Sequence, residues 1–512
     1  MEETRIRPAR TIAALGLTEL PFRGPNLDPH AVVEGLAVDS RAVRDGFVFF
    51  AMPGTRLDGA AFAQYAVRQG AIAVVATEAG VETACGDLGG LPVTFFVTEE
   101  PRALLAQAAA RFYRAQPKVM AAVTGTNGKT STAQFLRQIW ASAGHPAAAF
   151  GTTGVEGGGF EEPLSHTTPE PITLHALLAR LAEKGCTHAA MEASSHGLAQ
   201  HRLDGVKLTA AALTNITRDH MDYHTSHEDY VAAKLRLFSE LLPPDGNAVL
   251  NADDPVFERV REAASARGLR VISVGRAVGA DLAIIATRYH ARGQEVQLGW
   301  AGAVHRAELC LVGGFQAANM ALAAGLAIAT GVAPDAVFAS LPDLTGVRGR
   351  MEPVARRANG AAIYVDYAHT PDALATAIDA LRPHCTGQLV VVFGAGGDRD
   401  PGKRPMMGEA VATRADVAIV TDDNPRGEDP AAIRAAVLTA CPEGHEIGDR
   451  AAAILAGVDA LKEPGDCLLI AGKGHEQGQE VAGAMLPFDD ATQARSTVAA
   501  LDGIEHGFGG GR

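Results

Sequence analysis

The sequence predicts an α/β protein of three domains: a small N-terminal α/β domain over residues 1–99, a central domain with a mostly parallel sheet over 100–348, and a second doubly wound domain over 349–512. Three observations carry this expectation. The 512 residues exceed one compact core at ~150 residues per domain. From residue 102 onward, short apolar runs alternate with longer helix-forming segments, the pattern of parallel strands joined by crossover helices. One such run, residues 119–123, leads into the glycine loop Thr124-Gly125-Thr126-Asn127-Gly128-Lys129-Thr130-Ser131, and residues 130–143 leave it with Ala133, Leu136 and Trp140 at helical spacing.

Composition narrows the function classes. Asp and Glu outnumber Lys and Arg, 59 to 45, for a net charge of −14, which argues against nucleic acid or an anionic membrane as the main partner. The six cysteines (85, 186, 310, 385, 441 and 467) show no C-x-x-C and no pairing pattern, so buried free thiols in a reducing compartment are expected. The first residues lack a signal peptide's apolar core and no long apolar run occurs. A cytoplasmic protein without membrane insertion is the expectation, with the glycine-rich tail after Gly507 as its low-complexity piece.

In chain order, the N-terminal domain holds Asp39-Ser40-Arg41, an apolar segment near residues 46–51, and the loop Gly54-Thr55-Arg56-Leu57-Asp58-Gly59. A helix over 60–69 and a strand over 72–76 follow. Alone, this loop reads equally well as an ordinary surface turn.

The central domain offers strands at 119–123, 189–191, 210–213 and 248–250. Each ends in a polar cluster: the glycine loop, Glu192 to Gly197, Thr214 to His220, and Asn251 to Asp254. The last domain repeats the arrangement, Rossmann-like, with strands at 362–365, 389–393, 417–420 and 467–470. These end in Asp366-Tyr367-Ala368-His369, the segment from Gly394 to Asp400, Asp423-Asn424-Pro425-Arg426, and Gly472-Lys473-Gly474-His475-Glu476. Open α/β sheets bind ligands beyond the carboxyl ends of their strands. Two loaded edges facing one cleft are therefore expected.

The glycine loop has the chemistry of a phosphate cradle. Backbone N–H groups at Gly125, Thr126, Asn127, Gly128 and Ser131 can face phosphate oxygens, Lys129 reaches the β/γ-phosphates, and Thr130 can hold Mg²⁺. The common pattern has a further glycine where this chain has Val123. Glu192 and His220, each past a central strand, suit a second Mg²⁺ beside a triphosphate; His220 alone reads as a capping histidine. Lys234 lies on an amphipathic helix, and physics alone makes it a surface lysine.

Together the glycine loop, Met191-Glu192-Ala193-Ser194-Ser195-His196, the run from Arg218 to His224, and Asp366-Tyr367-Ala368-His369-Thr370-Pro371 resemble the Mur ligase family over essentially the entire chain. These ATP-dependent enzymes add amino acids to the UDP-muramoyl peptide precursor of bacterial cell wall. Asp39-Ser40-Arg41, Thr167-Thr168-Pro169-Glu170, the run from Ser194 to Arg202, and Asp423-Asn424-Pro425-Arg426 are most similar to the branch that adds meso-2,6-diaminopimelate to UDP-N-acetylmuramoyl-L-alanyl-D-glutamate. The resemblance implies that Ser40 and Thr55-Arg56-Leu57 contact the uridine nucleotide, and that Thr167, Thr168, Ser194, Gln200 and Arg202 hold the dipeptide. It also implies Asn319 and Arg350 on the ATP side, and Lys234 as a carbamylated lysine that joins Thr130, Glu192 and His220 around Mg²⁺. Arg399, Asp423, Asn424, Pro425, Gly472 and Glu476 match the acceptor side. Asp366 or His369 would orient ATP or assist proton removal. Gln316 and Pro401 depart from the usual asparagine and lysine. A monomer is the expectation.

Arg426 is the specificity candidate. Diaminopimelate differs from lysine by a far carboxylate, which a planar guanidinium grips by two parallel hydrogen bonds. Pairing with Glu428 or Asp429 is the structural alternative. Three rival readings remain at this point: a lysine-adding ligase, a folylpolyglutamate- or cyanophycin-type ligase, and an ATP-binding switch that ligates nothing.

Overall fold

The protein is described by a computed structural model covering residues 10–54, 57–88, 90, 92–217 and 223–503. Among these residues the N-terminal sheet contains β1 (Phe22–Arg23), β2 (Gly35–Ala37), β3 (Phe47–Phe50), β4 (Ala71–Ala76) and β5 (Thr94–Val97). Their order is β1-β5-β4-β3-β2, parallel except for β1. The expected helix near 60–69 is a 3₁₀ turn, Gly59–Phe62, running into the helix Ala63–Arg68.

The central domain contributes β6 (Val119–Thr124), β7 (Ala147–Gly151), β8 (Gly154–Gly157), β9 (Phe160–Glu162), β10 (His188–Glu192) and β11 (Ala210–Leu213). It continues with β12 (Asn247–Asn251), β13 (Arg270–Gly275), β14 (Leu282–His290), β15 (Gly293–Trp300) and β16 (Ala303–Leu309). They form one sheet in the order β16-β15-β14-β13-β12-β11-β6-β10-β7-β8-β9. From β7 to β14 the strands are parallel; both ends are antiparallel ribbons. The parallel middle matches the expected mostly parallel sheet, and the antiparallel ribbons at its ends are features the sequence did not signal.

The inner strands are rich in alanine and buried on both faces, as parallel strands between helix layers must be. One apolar cluster fills the side covered by the helices Lys129–Ser142 and Gly314–Ala329, and a second fills the opposite side beneath Pro171–Glu183. Beside β6 lie β11 on one flank and β10 on the other, although β7 follows β6 in the chain. The order therefore reverses around β6, and its glycine loop opens at that switch point.

The C-terminal sheet contains β17 (Glu352–Arg356), β18 (Ala362–Asp366), β19 (Leu389–Phe393), β20 (Val417–Val420), β21 (His445–Glu446) and β22 (Cys467–Ala471). Its order is β17-β18-β22-β19-β20-β21, parallel except for β17. A separate hairpin, β23 (Gly478–Val481) and β24 (Ala484–Pro487), follows β22. Register sets Asp366 beside Ala471 and Phe393 beside Val420, so the loops after β18, β19, β20 and β22 share one edge.

Candidate active site

The glycine loop is held from its β11 flank. The loop amide of Thr126 donates to the Asn215 carbonyl at 2.7 Å, and that of Asn127 to Asn215 Oδ1 at 3.0 Å. Thr126 Oγ1 lies 2.8 Å from Tyr230 Oη. Two glycines are required by close approach. Gly125 has φ +145°, and a Cβ there would stand 1.9 Å from Thr214 Oγ1; Gly128 has φ +83°, with Asn319 Oδ1 2.3 Å from that position. Asn319 thus packs on the loop and donates to Gln316 Oε1 at 3.2 Å. Lys129 opens the following helix, its Nζ donating to the carbonyls of Gly125 (2.9 Å) and Thr126 (2.7 Å).

Lys234 overturns the surface expectation. It sits on the helix His227–Arg236 with 1% of its surface exposed. Its Nζ donates to the Gly125 carbonyl at 2.8 Å and lies 4.6 Å from the Tyr230 ring centroid. The amphipathic pattern was real, but the helix turns Lys234 into the glycine loop and not toward water.

Glu192 is the last residue of β10, not a residue beyond it, and is buried. Thr152 grips it twice: its amide donates to Oε1 at 2.8 Å and its hydroxyl to Oε2 at 3.1 Å. The same hydroxyl lies 3.0 Å from Thr167 Oγ1. Thr168 Oγ1 donates to the Glu192 carbonyl at 2.8 Å and accepts the Ser194 amide at 3.0 Å. Arg202 donates to the Thr168 carbonyl at 2.6 Å and to Gln200 Oε1 at 2.7 Å. Thr167, Thr168, Ser194, Gln200 and Arg202 therefore form one connected wall.

The C-terminal domain supplies the opposing wall. Arg350 Nη2 reaches Thr130 Oγ1 at 3.4 Å, with its guanidinium 4.4 Å over the Tyr367 ring. Asp366 ends β18 and accepts the amides of Met351 (2.7 Å) and Ala368 (2.9 Å). Burial raises its carboxyl above the usual range, while the Arg350 charge opposes that shift. His369 is exposed and bonds through Nδ1 to the Tyr367 carbonyl at 2.7 Å. Residues 126–131, Glu192, Thr167, Thr168, Ser194, Arg202, Asn319, Arg350, Asp366 and His369 line one cleft of about 420 Å³.

The acceptor candidates lie elsewhere on the C-terminal edge. Asn424 Nδ2 donates to Glu476 Oε2 at 3.0 Å, and Lys473 Nζ to the same oxygen at 3.1 Å. Asp423 Oδ1 accepts the Asn424 amide at 2.7 Å, and burial raises its carboxyl against the pull of Arg450 and Lys473. Gly472 abuts it, so a Cβ there would stand 2.3 Å from Asp423 Oδ2. Arg426, after Pro425, has φ +53° and donates to the Gly397 carbonyl at 2.8 Å. Its ionic partner is Glu480 on β23, at 3.2 Å, and neither Glu428 nor Asp429; Glu428 pairs with Arg404. Arg399 is exposed beside Gly396. Glu476 lines a second cleft, about 740 Å³, and Thr152 borders both.

Thr55, Arg56 and His220 lie outside the described residues. Ser40 is buried on the turn Ser40–Ala42 and Leu57 is exposed, both on the N-terminal domain and away from these two clefts. Sequence reasoning missed Thr152, Asn215, Tyr230, Tyr367 and Lys473 as participants. Asn215 and Lys473 lie two residues past strand ends, within the polar clusters of the sequence, and were findable; Thr152 was hidden by the unforeseen β7–β8 hairpin.

A phosphate-type glycine loop at a sheet switch point, faced by a second doubly wound domain, defines a nucleotide-site α/β architecture of the kind used by ATP-dependent ligases. The chain belongs to the Mur ligase family. Three family models match it: "Mur ligase family, catalytic domain" over 32–113, "Mur ligase middle domain" over 123–327, and "Mur ligase, glutamate ligase domain" over 349–474. It is 51% identical to the UDP-N-acetylmuramoyl-L-alanyl-D-glutamate–2,6-diaminopimelate ligase of Chelativorans sp. (strain BNC1), covering 94% of this chain and 97% of that one. The protein of the same name from Caulobacter vibrioides is also 51% identical, over 96% and 99%. Among solved structures, one of a ligase of that name matches with a TM-score of 0.70 at 33% identity, over 96% of this chain and 99% of that one. A folylpolyglutamate synthase from Mycobacterium tuberculosis shares the fold at 20% identity, with a TM-score of 0.60 over 79% and 95%.

Proposed function

We infer that the chain is an ATP-dependent amide ligase that joins meso-diaminopimelate to UDP-N-acetylmuramoyl-L-alanyl-D-glutamate in peptidoglycan precursor synthesis. The observation that carries this reading is the meeting of two clefts at Thr152: one lined by the glycine loop and Glu192, the other by Glu476. Half-identical relatives named for this reaction along nearly their full length support it. In this reading residues 1–99 hold the uridine end through Ser40, Thr55, Arg56 and Leu57, residues 100–348 hold ATP and the dipeptide, and residues 349–512 hold the acceptor. Among the described residues no helix is long and apolar enough to cross a membrane. The enzyme would work in the cytoplasm as a monomer.

Carboxylate and triphosphate repel each other, so the barrier is largely electrostatic. Thr130 and Glu192 present a hydroxyl and a buried carboxylate to the same cleft, oxygen donors that fit Mg²⁺, to which a carbamylated Lys234 would add a further oxygen and His220 an imidazole nitrogen. When bound, the ion offsets phosphate charge. Thr152 fixes the Glu192 carboxylate by two donors. Lys129 and the amides of residues 125–131 cradle the phosphates, and Arg350 closes the γ end from the other domain. A D-glutamate γ-carboxylate oxygen attacks the γ-phosphorus and ADP leaves, giving an acyl phosphate. The diaminopimelate amine, after losing a proton, attacks the acyl carbon; phosphate departs and the amide remains. Of the two base candidates, Asp366 holds two backbone amides, which favours it as an orienting group. His369 is the exposed one.

The reading is tested by incubating the protein with ATP, Mg²⁺, the nucleotide dipeptide and meso-diaminopimelate, and weighing the product. A mass gain of one diaminopimelate less water is expected; ATP turnover with no new amide would contradict it.

A further inference from the structure

Lys473 is fully buried, an unusual place for an ammonium. It donates to Asn424 Oδ1 and to Glu476 Oε2, each at 3.1 Å. Asn424 Oδ1 also accepts the Glu480 amide at 2.9 Å, which fixes its amide group with Nδ2 aimed at Glu476. Glu476 Oε2 therefore receives two donors, and Glu476 itself lines the second cleft. A second buried cation braces the same loops: Arg450 Nη2 donates to the Ala471 carbonyl at 3.0 Å and Nη1 to the Asp422 carbonyl at 3.3 Å, with Asp490 as its counter-ion.

We propose that Lys473 is a positioning residue for the acceptor: its ammonium anchors Asn424 and one oxygen of Glu476, so that the other carboxylate oxygen is presented to the ammonium at the acceptor's far end. Buried charge of one sign must be offset by the other. Lys473 and Asn424 hold Glu476 in a single pose, and a carboxylate held this way selects a zwitterionic acceptor terminus over a neutral one. The inference rests on the ligase reading above and deepens its acceptor side.

The test is a double-mutant cycle over Lys473→Met, Glu476→Gln and both together. The double variant removes the Lys473–Glu476 pair as a unit, so the buried ammonium is gone together with its partly exposed counter-ion. Lys473→Met is expected to raise KM for diaminopimelate by about 10–100-fold, the scale of a lost hydrogen bond to a charged group. KM for ATP and for the nucleotide dipeptide should stay within about twofold. In the Glu476→Gln background, Lys473→Met should add nothing further to the acceptor KM. A purely structural lysine would lower the melting temperature and kcat with all three KM values unmoved, and additive effects of the two substitutions would mean that Lys473 does not act through Glu476; either result overturns the proposal. If the unaltered protein makes no amide with diaminopimelate at all, the ligase reading fails, which is a different outcome from a wild-type-like acceptor KM in Lys473→Met.

Discussion

Arg426 Nε lies 3.2 Å from Glu480 Oε2, and the Arg426 amide donates to the Glu480 carbonyl at 3.0 Å. The specificity candidate is therefore tied to β23 by side chain and backbone, with its φ of +53° held by that strand-like pairing. An acceptor carboxylate must share or replace Glu480. Arg426→Ala should raise KM for diaminopimelate by about 10–100-fold and leave ATP binding unchanged. Glu480→Gln, which removes the competing charge, should lower that KM. Kinetics with each substrate varied in turn checks both; equal loss for ATP and acceptor would show that Arg426 acts on the fold.

Lys234 lies against the Gly125 carbonyl in a buried site. Lys234→Ala should lower kcat by about 100-fold or more, the scale of losing one preorganised charge-stabilising group. If the working form is the carbamate, formate or acetate should restore part of the activity. Absence of any rescue would leave Lys234 as an ammonium that braces the loop.

Thr152 donates to both Glu192 oxygens. Thr152→Val keeps the amide and deletes the hydroxyl, so Glu192 loses one of two restraints. The affinity for a divalent ion should fall by about 10–100-fold, as for other residues that orient a metal ligand. Mn²⁺ titration followed by electron paramagnetic resonance, with nucleotide present, measures this independently of turnover.

His175 is buried, and Nε2 has no hydrogen-bond partner among the described residues. Burial drops its pKa from the usual 6.5 to about 4. Between those values the unfolded chain binds the proton and the fold does not, so stability rises with pH across that window and is lost as pH falls through it. Urea midpoints should decline from about pH 6.5 toward 4, and His175→Phe should flatten that decline; an unchanged slope would assign the acid sensitivity elsewhere.

Arg450 and Asp490 form a buried pair with two short contacts, 2.7 and 2.6 Å. Asp490→Asn should cost about 3–5 kcal/mol of stability by stranding the guanidinium. Denaturant unfolding checks the value.

These residues also show what sequence could and could not reveal. The parallel strands were legible because burial on both faces writes continuous apolar runs, as in β19 and β22. The ribbon β14–β16 was not, because its exposed Arg288 and Arg306 and half-buried Thr287 give no such run. Residues at or within two positions of strand ends, such as Asn215, Asp366 and Lys473, reach the site by topology alone. Lys234 and Thr152 reach it by tertiary turns: a helix rolled inward, and a hairpin edge folded beside β10. Arg426 was found; the alternative of pairing with Glu428 or Asp429 rested on proximity in sequence, whereas the β23 hairpin brings Glu480.

The central claim is acceptor-driven ligation at the junction of the two clefts. It is tested most directly by phosphate release with ATP and the nucleotide dipeptide present, comparing meso-diaminopimelate with lysine. The account predicts rapid release with diaminopimelate and, with lysine, release lower by about 10–100-fold, since Arg426 would be left without its carboxylate. Equal release with both acceptors, or release indifferent to any acceptor, would contradict it.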